Sequence, residues 1–281
     1  MKKYFIISLM ALFPALAIAQ QAGGHITRPT KPATTNTKPP KKQPESRSAI
    51  QNKTFTVKGV SFTMVAIEGG TFTMGATSEQ YSSDAYNDAL PVHSVTLSSY
   101  YIGQTEVTQE LWQAVMGSNP SKFKRASHPV EQVSWNDCQT FIRKLNSLTG
   151  QNFRLPTEAQ WEFAARGGRK SRGYKYSGSN DVRDVAWHNK DSAGETHRVA
   201  IIRANELGLY DMSGNVSEWC RDWYGDYSSN SQTDPTGPYS GSNRVYRGGC
   251  WFSAPGQCRV SSRLGIKPDS RSDTLGLRLA L

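Results

Sequence analysis

Long apolar runs are what this sequence of 281 residues lacks most plainly. Beyond residue 19 no apolar stretch approaches the roughly 18 residues that span a bilayer, which excludes a protein with several membrane spans. Chemical signatures are equally scarce. The five histidines (His25, His93, His128, His188, His197) never fall into His-Glu-x-x-His spacing. Gly-x-Ser-x-Gly, a phosphate loop, and Gly-x-Gly-x-x-Gly after a strand are all missing. Common zinc proteases, serine hydrolases and nucleotide enzymes are thereby excluded. Charged residues make up only 20%, mean hydropathy is −0.58, and there are 24 Gly and 14 Pro, so turns should be many and long helices few. That composition excludes a coiled coil. The 7 Trp, 12 Tyr and 10 Phe supply enough aromatic bulk for a core, so the chain is not wholly disordered.

Acidic charge is missing chiefly from one region. Lys2 and Lys3, together with seven basic residues against Glu45 in residues 20–53, carry most of the formal net charge of +10. Residues 54–281 are close to neutral, and no nucleic-acid footprint is indicated. At the start, Lys2-Lys3, an apolar run from Tyr4 to Ala19 and the small-x-small ending Ala17-Ile18-Ala19 read as a signal peptide over residues 1–19, cleaved near Ala19. The mature protein is expected to be periplasmic or secreted, with no membrane span. Residues 20–53 hold Thr, Pro, Lys and Gln and almost nothing apolar, so they read as a solvated, semi-stiff linker.

A folded domain is expected over residues 54–281. Phe55 to Val65 reads as a strand, Gly69 to Gly75 as a turn leading into a second strand, and Val92 to Ile102 as a further strand region. Three helices carry punctuation. Thr108 caps one with Leu111, Trp112, Val115 and Met116 on its apolar face and Gly117 as its stop. Ser134 caps the next, through Cys138, Phe141, Ile142, Leu145 and Leu148 to Gly150. Thr157 and Gln160 have capping-box spacing and open a third that ends near Gly167. Later apolar runs are short. The pattern is α+β with high loop content.

The motifs also come in a telling order: Gly69-Gly70-Thr71-Phe72-Thr73-Met74-Gly75, Thr105-Glu106-Val107-Thr108, His128-Pro129-Val130-Glu131, Phe153-Arg154-Leu155-Pro156-Thr157-Glu158-Ala159-Gln160-Trp161-Glu162, Gly208-Leu209-Tyr210-Asp211-Met212-Ser213-Gly214-Asn215-Val216-Ser217-Glu218-Trp219, Arg247-Gly248-Gly249-Cys250-Trp251 and Leu275-Gly276-Leu277-Arg278. Over about residues 55–281 the chain resembles the sulfatase-modifying factor family, the formylglycine-generating enzymes. The resemblance implies an elaborated C-type-lectin-like fold. It also implies oxidation of a sulfatase cysteine to formylglycine by oxygen and copper, the copper held by two cysteine thiolates. The first lies three residues after the serine of Arg-Gly-Gly-Ser and the second five residues later. Here Cys250 stands in the serine place, Ser253 in the first copper-cysteine place and Cys258 in the second. A neutral hydroxyl is a poor Cu(I) ligand. On a strand, Cys250 would face away from Ser253; in a loop it would not.

The resemblance further implies a calcium loop with Asp211, Gly214, Val216 and Glu218, and a second calcium place at Val185, Ala186, Asp191 and Ala193, where Val185 replaces a side-chain oxygen. An oxidising compartment favours disulfides. Cys220–Cys258 is the expected pair and Cys220–Cys250 its competitor, with Cys138 a buried free thiol. Trp135, Trp161, Trp219 and Trp251 are expected in the core. The functional expectation is a secreted, non-catalytic family member whose copper cysteine pair is incomplete, acting as a binding or envelope-assembly module with a protein or peptide partner in the envelope or outside the cell. The alternatives are a copper-dependent formylglycine-generating oxidase and, on fold analogy, a carbohydrate-binding protein.

Overall fold

The computed structural model describes residue 24 and residues 50–80 and 87–281, so the expected signal peptide and nearly all of the linker lie outside the described residues. The chain begins its folded course with β1 (Lys53–Val57) and β2 (Val60–Ile67), an antiparallel hairpin. Lys58 and Gly59 close it with φ of 48° and 85°. Two positive φ values are what a two-residue turn needs to match strand twist. β3 (Gly70–Met74) and β4 (His93–Leu97) pair antiparallel, and β5 (Tyr100–Gly103) returns to β2. The expected strand region at 92–102 is thus two strands in two different sheets, divided at Ser98-Ser99.

The three helices follow where the caps place them. In α1 (Gln109–Met116) the Thr108 hydroxyl accepts from the Leu111 N–H, and Gly117 closes the helix at φ 84°. In α2 (Trp135–Thr149), Ser134 and Asp137 form a capping box, and Gly150 ends it at φ 67°. α3 (Glu158–Ala165) opens on the Thr157–Gln160 box. All eight of its residues are buried, so it has no polar face. Its charged side chains must therefore find partners inside the protein.

The last third supplies β6 (Ser217–Trp223), the short β7 (Gln232–Thr233), β8 (Arg244–Arg247), β9 (Arg263–Ile266) and β10 (Leu275–Leu277). Three sheets result among the described residues: β1-β2-β5, β3-β4-β7 and β10-β6-β8-β9. β10 runs parallel to β6, and β8 antiparallel, with Glu218 opposite Arg247 and Trp219 opposite Tyr246. One apolar cluster joins α1 and α2 to Trp219, Leu275 and Leu277. Within it Trp112 stacks on Phe141 at 4.8 Å. A second joins β2–β5, α3 and Cys220. No helix among the described residues is long and apolar enough to cross a membrane.

Two expectations are corrected. All four cysteines are free thiols. Cys220 belongs to the cluster with Trp161 and Val245, whereas Cys258 packs with Tyr176, Val185 and Ala186, so the expected Cys220–Cys258 bond is not formed. Of the four tryptophans, Trp161 and Trp219 are fully buried, but Trp135 and Trp251 are only half-buried.

Candidate functional site

The two loops singled out by sequence lie against one another. The Gly214 N–H donates to the Gly248 carbonyl at 2.8 Å, and the Trp251 N–H to the Asn215 carbonyl at 2.8 Å. After β8 the chain leaves the strand through Gly248 and Gly249, both at positive φ (95° and 70°). Cys250 to Ser253 is therefore a turn, closed by the Ser253 N–H to the Cys250 carbonyl at 2.9 Å. The Cys250 N–H donates to Ser253 Oγ at 3.0 Å, and Cys250 Sγ lies 3.3 Å from that hydroxyl. A strand would have turned the two side chains apart; the turn brings them together.

Cys258 ends a short 3-10 helix, Pro255–Cys258. Its thiol presses on Gly249, where an added Cβ would sit 2.9 Å from Sγ, so this glycine is required for the approach. Cys258 is fully buried, and its carbonyl accepts from Ser213 Oγ at 2.8 Å. Burial pushes the Cys258 thiol well up, and Cys250 and Asp191 nearby add to the shift. Burial raises the Cys250 thiol as well, against the hydrogen bond from Ser253. Both are thiols rather than thiolates at neutral pH, and thiolate is the form that attacks or binds a soft metal. The donor set of the expected copper place, one buried thiol and one hydroxyl, does not fit Cu(I).

Asp211 takes the left-handed conformation (φ 56°) and is buried. Its Oδ2 accepts from the Ala200 N–H at 2.8 Å, whereas its Oδ1 has no partner. Gly214, at φ 83°, packs so tightly that a Cβ would lie 2.3 Å from the Trp187 carbonyl. Val216 donates its N–H to Glu106 Oε1 at 3.4 Å. Glu218 is held by Arg278 through Nε and Nη2 (2.7–3.0 Å) and by Trp161 Nε1 at 2.7 Å. Glu106, Asp211 and Glu218 thus share one buried guanidinium. Burial, with the neighbouring carboxylates, raises Asp211 to about 6 and Glu106 well above its ordinary range.

The unpartnered Asp211 oxygen and the surplus of carboxylate suit a hard cation. Glu218 suits it less, since both its oxygens are already engaged. Glu106 and Arg278 belong to this site and were given no role from sequence, although both stood in the ordered motifs. At the second calcium place, Val185 and Ala186 are apolar core, and Asp191 Oδ1 lies 2.8 Å from His188 Nδ1. Among the described residues no group of three or more His, Cys, Asp or Glu converges as a metal cluster.

Residues 51–281 match the sulfatase-modifying factor enzyme 1-like domain. The chain belongs to the sulfatase-modifying factor family. Three relatives bear this out. Chaperone protein LppX of Paenibacillus barcinonensis is 34% identical, over 72% of this chain and 83% of the relative. The formylglycine-generating enzyme of Streptomyces coelicolor is 30% identical, over 77% and 88%. Serine/threonine-protein kinase pkn1 of Chlamydia pneumoniae is 33% identical over 77% of this chain, but the match spans only 37% of the kinase. Among solved structures, Treponema denticola variable protein 1 superposes with a TM-score of 0.73 at 37% identity, covering 82% of this chain and 98% of that one. The C-type-lectin-like architecture of the sulfatase-modifying factor family is therefore the fold of this domain.

Proposed function

We propose that this family member is a non-catalytic binding module, exported from the cytoplasm and acting on a protein or peptide partner. The observation that carries the reading is the pair of residues in the copper place: Ser253 offers a hydroxyl where the family's enzymes have a thiolate, and Cys258 is a fully buried thiol. The kinship with a protein named a chaperone agrees with partner binding without chemistry. Incubation with a sulfatase-type cysteine peptide, Cu(I) and oxygen is expected to yield no aldehyde by mass spectrometry. Turnover that disappears in Cys258→Ala would overturn the proposal. One observation favours the second reading, a working oxidase: Cys250 Sγ reaches within 3.3 Å of Ser253 Oγ, close to the place of the missing thiolate. Turnover that depends on both Cys250 and Cys258 is its signature.

We further propose that Asp211, with the Gly214 and Val216 carbonyls, holds Ca²⁺. The folded-state pKa of Asp211, about 6, lies above its ordinary 3.8, so its contribution to stability is fully present at low pH. That contribution is lost as pH rises through about 6, and the loss is about 3 kcal/mol when no metal ion is bound. In chelator at pH 7.5, Asp211→Asn should therefore melt at a higher temperature than the wild type. Calcium should raise the melting temperature of the wild type and leave that of Asp211→Asn unchanged. Equal wild-type melting curves in calcium and chelator would remove the claim.

A further inference from the structure

Strand alternation in β6 sends Glu218, Cys220 and Asp222 toward α3 and leaves Trp219, Arg221 and Trp223 on the other face. Arg221 is exposed, and among the described residues its guanidinium has no hydrogen-bond or ion-pair partner. It lies at a groove of about 700 Å³ whose walls include Arg154, Arg244, Trp135, Trp223 and Tyr239. No carboxylate is among the lining residues. Arg244 is sandwiched between Trp135 and Trp223, 4.0 and 3.4 Å from the ring centroids. It spends Nη1 on the Arg221 carbonyl, while its buried Nε has no partner. Arg154 spends Nη1 on the Leu155 carbonyl and Gln160 Oε1. Tyr239 at the rim is fully exposed.

Three guanidinium groups around one groove repel one another. Burial, and then the charge of Arg221, lowers the pKa of Arg154 and, with the help of the same neighbour, that of Arg244. The carboxyl behind the strand, Asp222, offsets this repulsion only in part, acting on Arg154 and Arg244 at a distance without an ion pair to either. Asp222 points to α3, where its Oδ2 accepts the Glu158 N–H at 2.9 Å, and burial beside Glu158 raises it to about 7. Three buried arginines have carboxylate partners: Arg263 with Glu158, Arg247 with Glu162 and Arg278 with Glu218. Among the described residues the groove's arginines have none within ion-pair reach. Guanidinium groups pair with carboxylates in planar, two-bonded geometry, and an aromatic wall holds them in place for it.

We infer that this groove binds the acidic side chains of an extended peptide, with Arg221 as the main contact and the stacked Arg244 and Arg154 behind it. The inference rests on the proposed partner-binding role and names the chemistry of the partner. The groove is lined by neither Cys250 nor Cys258, so the aldehyde assay reports on the one proposal and peptide binding on the other.

The test uses the mature protein and fluorescence anisotropy of a labelled hexaglutamate peptide, against hexaglutamine of the same length. Hexaglutamate should bind and hexaglutamine should not. Arg221→Ala should weaken binding about tenfold, the effect of one charge-assisted contact, and Arg221→Glu should weaken it further. Both variants should melt no lower than the wild type, because Arg221 has no ion-pair partner among the described residues to lose and its removal relieves repulsion with Arg154 and Arg244. Affinity should fall steeply with salt. Equal binding of the two peptides, or wild-type binding by Arg221→Glu, overturns the inference. Retention of a sulfated oligosaccharide at the same groove without any binding of hexaglutamate would also overturn it, assigning the surface to an acidic glycan instead.

Discussion

Arg278→Met should leave a protein that is largely unfolded at neutral pH or melts far below the wild type. Arg278 is fully buried and supplies the guanidinium that Glu218 grips; it also donates to the Gly103 and Tyr210 carbonyls at 2.9 and 2.8 Å. Removing one partner of a buried pair costs about 3–5 kcal/mol, because the other charge stays behind unpaired. That is a large part of the roughly 5–15 kcal/mol that holds a domain together. Here Glu106 and Asp211 stay behind too. Their raised pKa values set a sign that a plain packing defect would not show. Both carboxyls favour the protonated form in the folded state, so the deficit should shrink as pH falls from 8 to 5, through the Asp211 pKa of about 6. Urea unfolding at the two pH values measures it. Pairing the change with Glu218→Gln should recover part of the loss, since the two residues are in contact and their effects are not additive. A wild-type midpoint at pH 8 would show that the pair is dispensable.

Glu162→Ala should be nearly as damaging, on the other side of α3. Glu162 is fully buried and accepts from the Gly75 N–H and from Arg166 Nε, both at 2.9 Å, and from Arg247 Nη2. Alanine leaves Arg247 deep in the protein, with the nearest remaining carboxylate, Glu158, 3.6 Å away and already shared with Arg263. A loss of about 3–5 kcal/mol is expected by the same reasoning. Glu162→Gln keeps an acceptor and the volume, so it should lose less than alanine does. Denaturant midpoints for the two variants, compared at equal slope, decide it. A Glu162→Gln midpoint equal to that of the wild type would mean that the charge of Glu162 contributes nothing beyond its shape.

These two networks mark the boundary of what could be read from residues alone. Thr108, Ser134, Thr157, Gly117 and Gly150 placed the three helices, because capping is decided within three or four positions of chain. Strand partners chosen over long distances are not legible in this way: a break at Ser98-Ser99 sends β4 and β5 into different sheets, and nothing local announces it. The roles of Glu106 and Arg278 depend on which charges meet in three dimensions, so their motifs showed the positions without the pairing. The cysteines failed for a related reason. Cys220 shares a strand face with Glu218 and Asp222 and looks into the α3 cluster, while Cys258 is drawn under Gly249. For Cys250 and Ser253 the decisive variable was strand or turn, and the positive φ values of Gly248 and Gly249 made it a turn.

Residues 275–281 close the structure from a great distance along the chain. Leu277 lies beside Trp219, its carbonyl takes the Val107 N–H, Ala280 exchanges two hydrogen bonds with Arg154, and Leu281 exchanges two with Tyr101. Seven residues thereby join the α1 approach, the entry to α3, β5 and β6. A ribosome that has made everything up to residue 274 has made every helix of this domain and none of the clasp. α3, with eight residues and no solvent-facing side, is too short to persist by itself until the clasp arrives. Assembly must wait for synthesis to reach this segment, and contacts of such high sequence separation form slowly. The emerging polypeptide is therefore kept pliable until this segment is available to join the four elements.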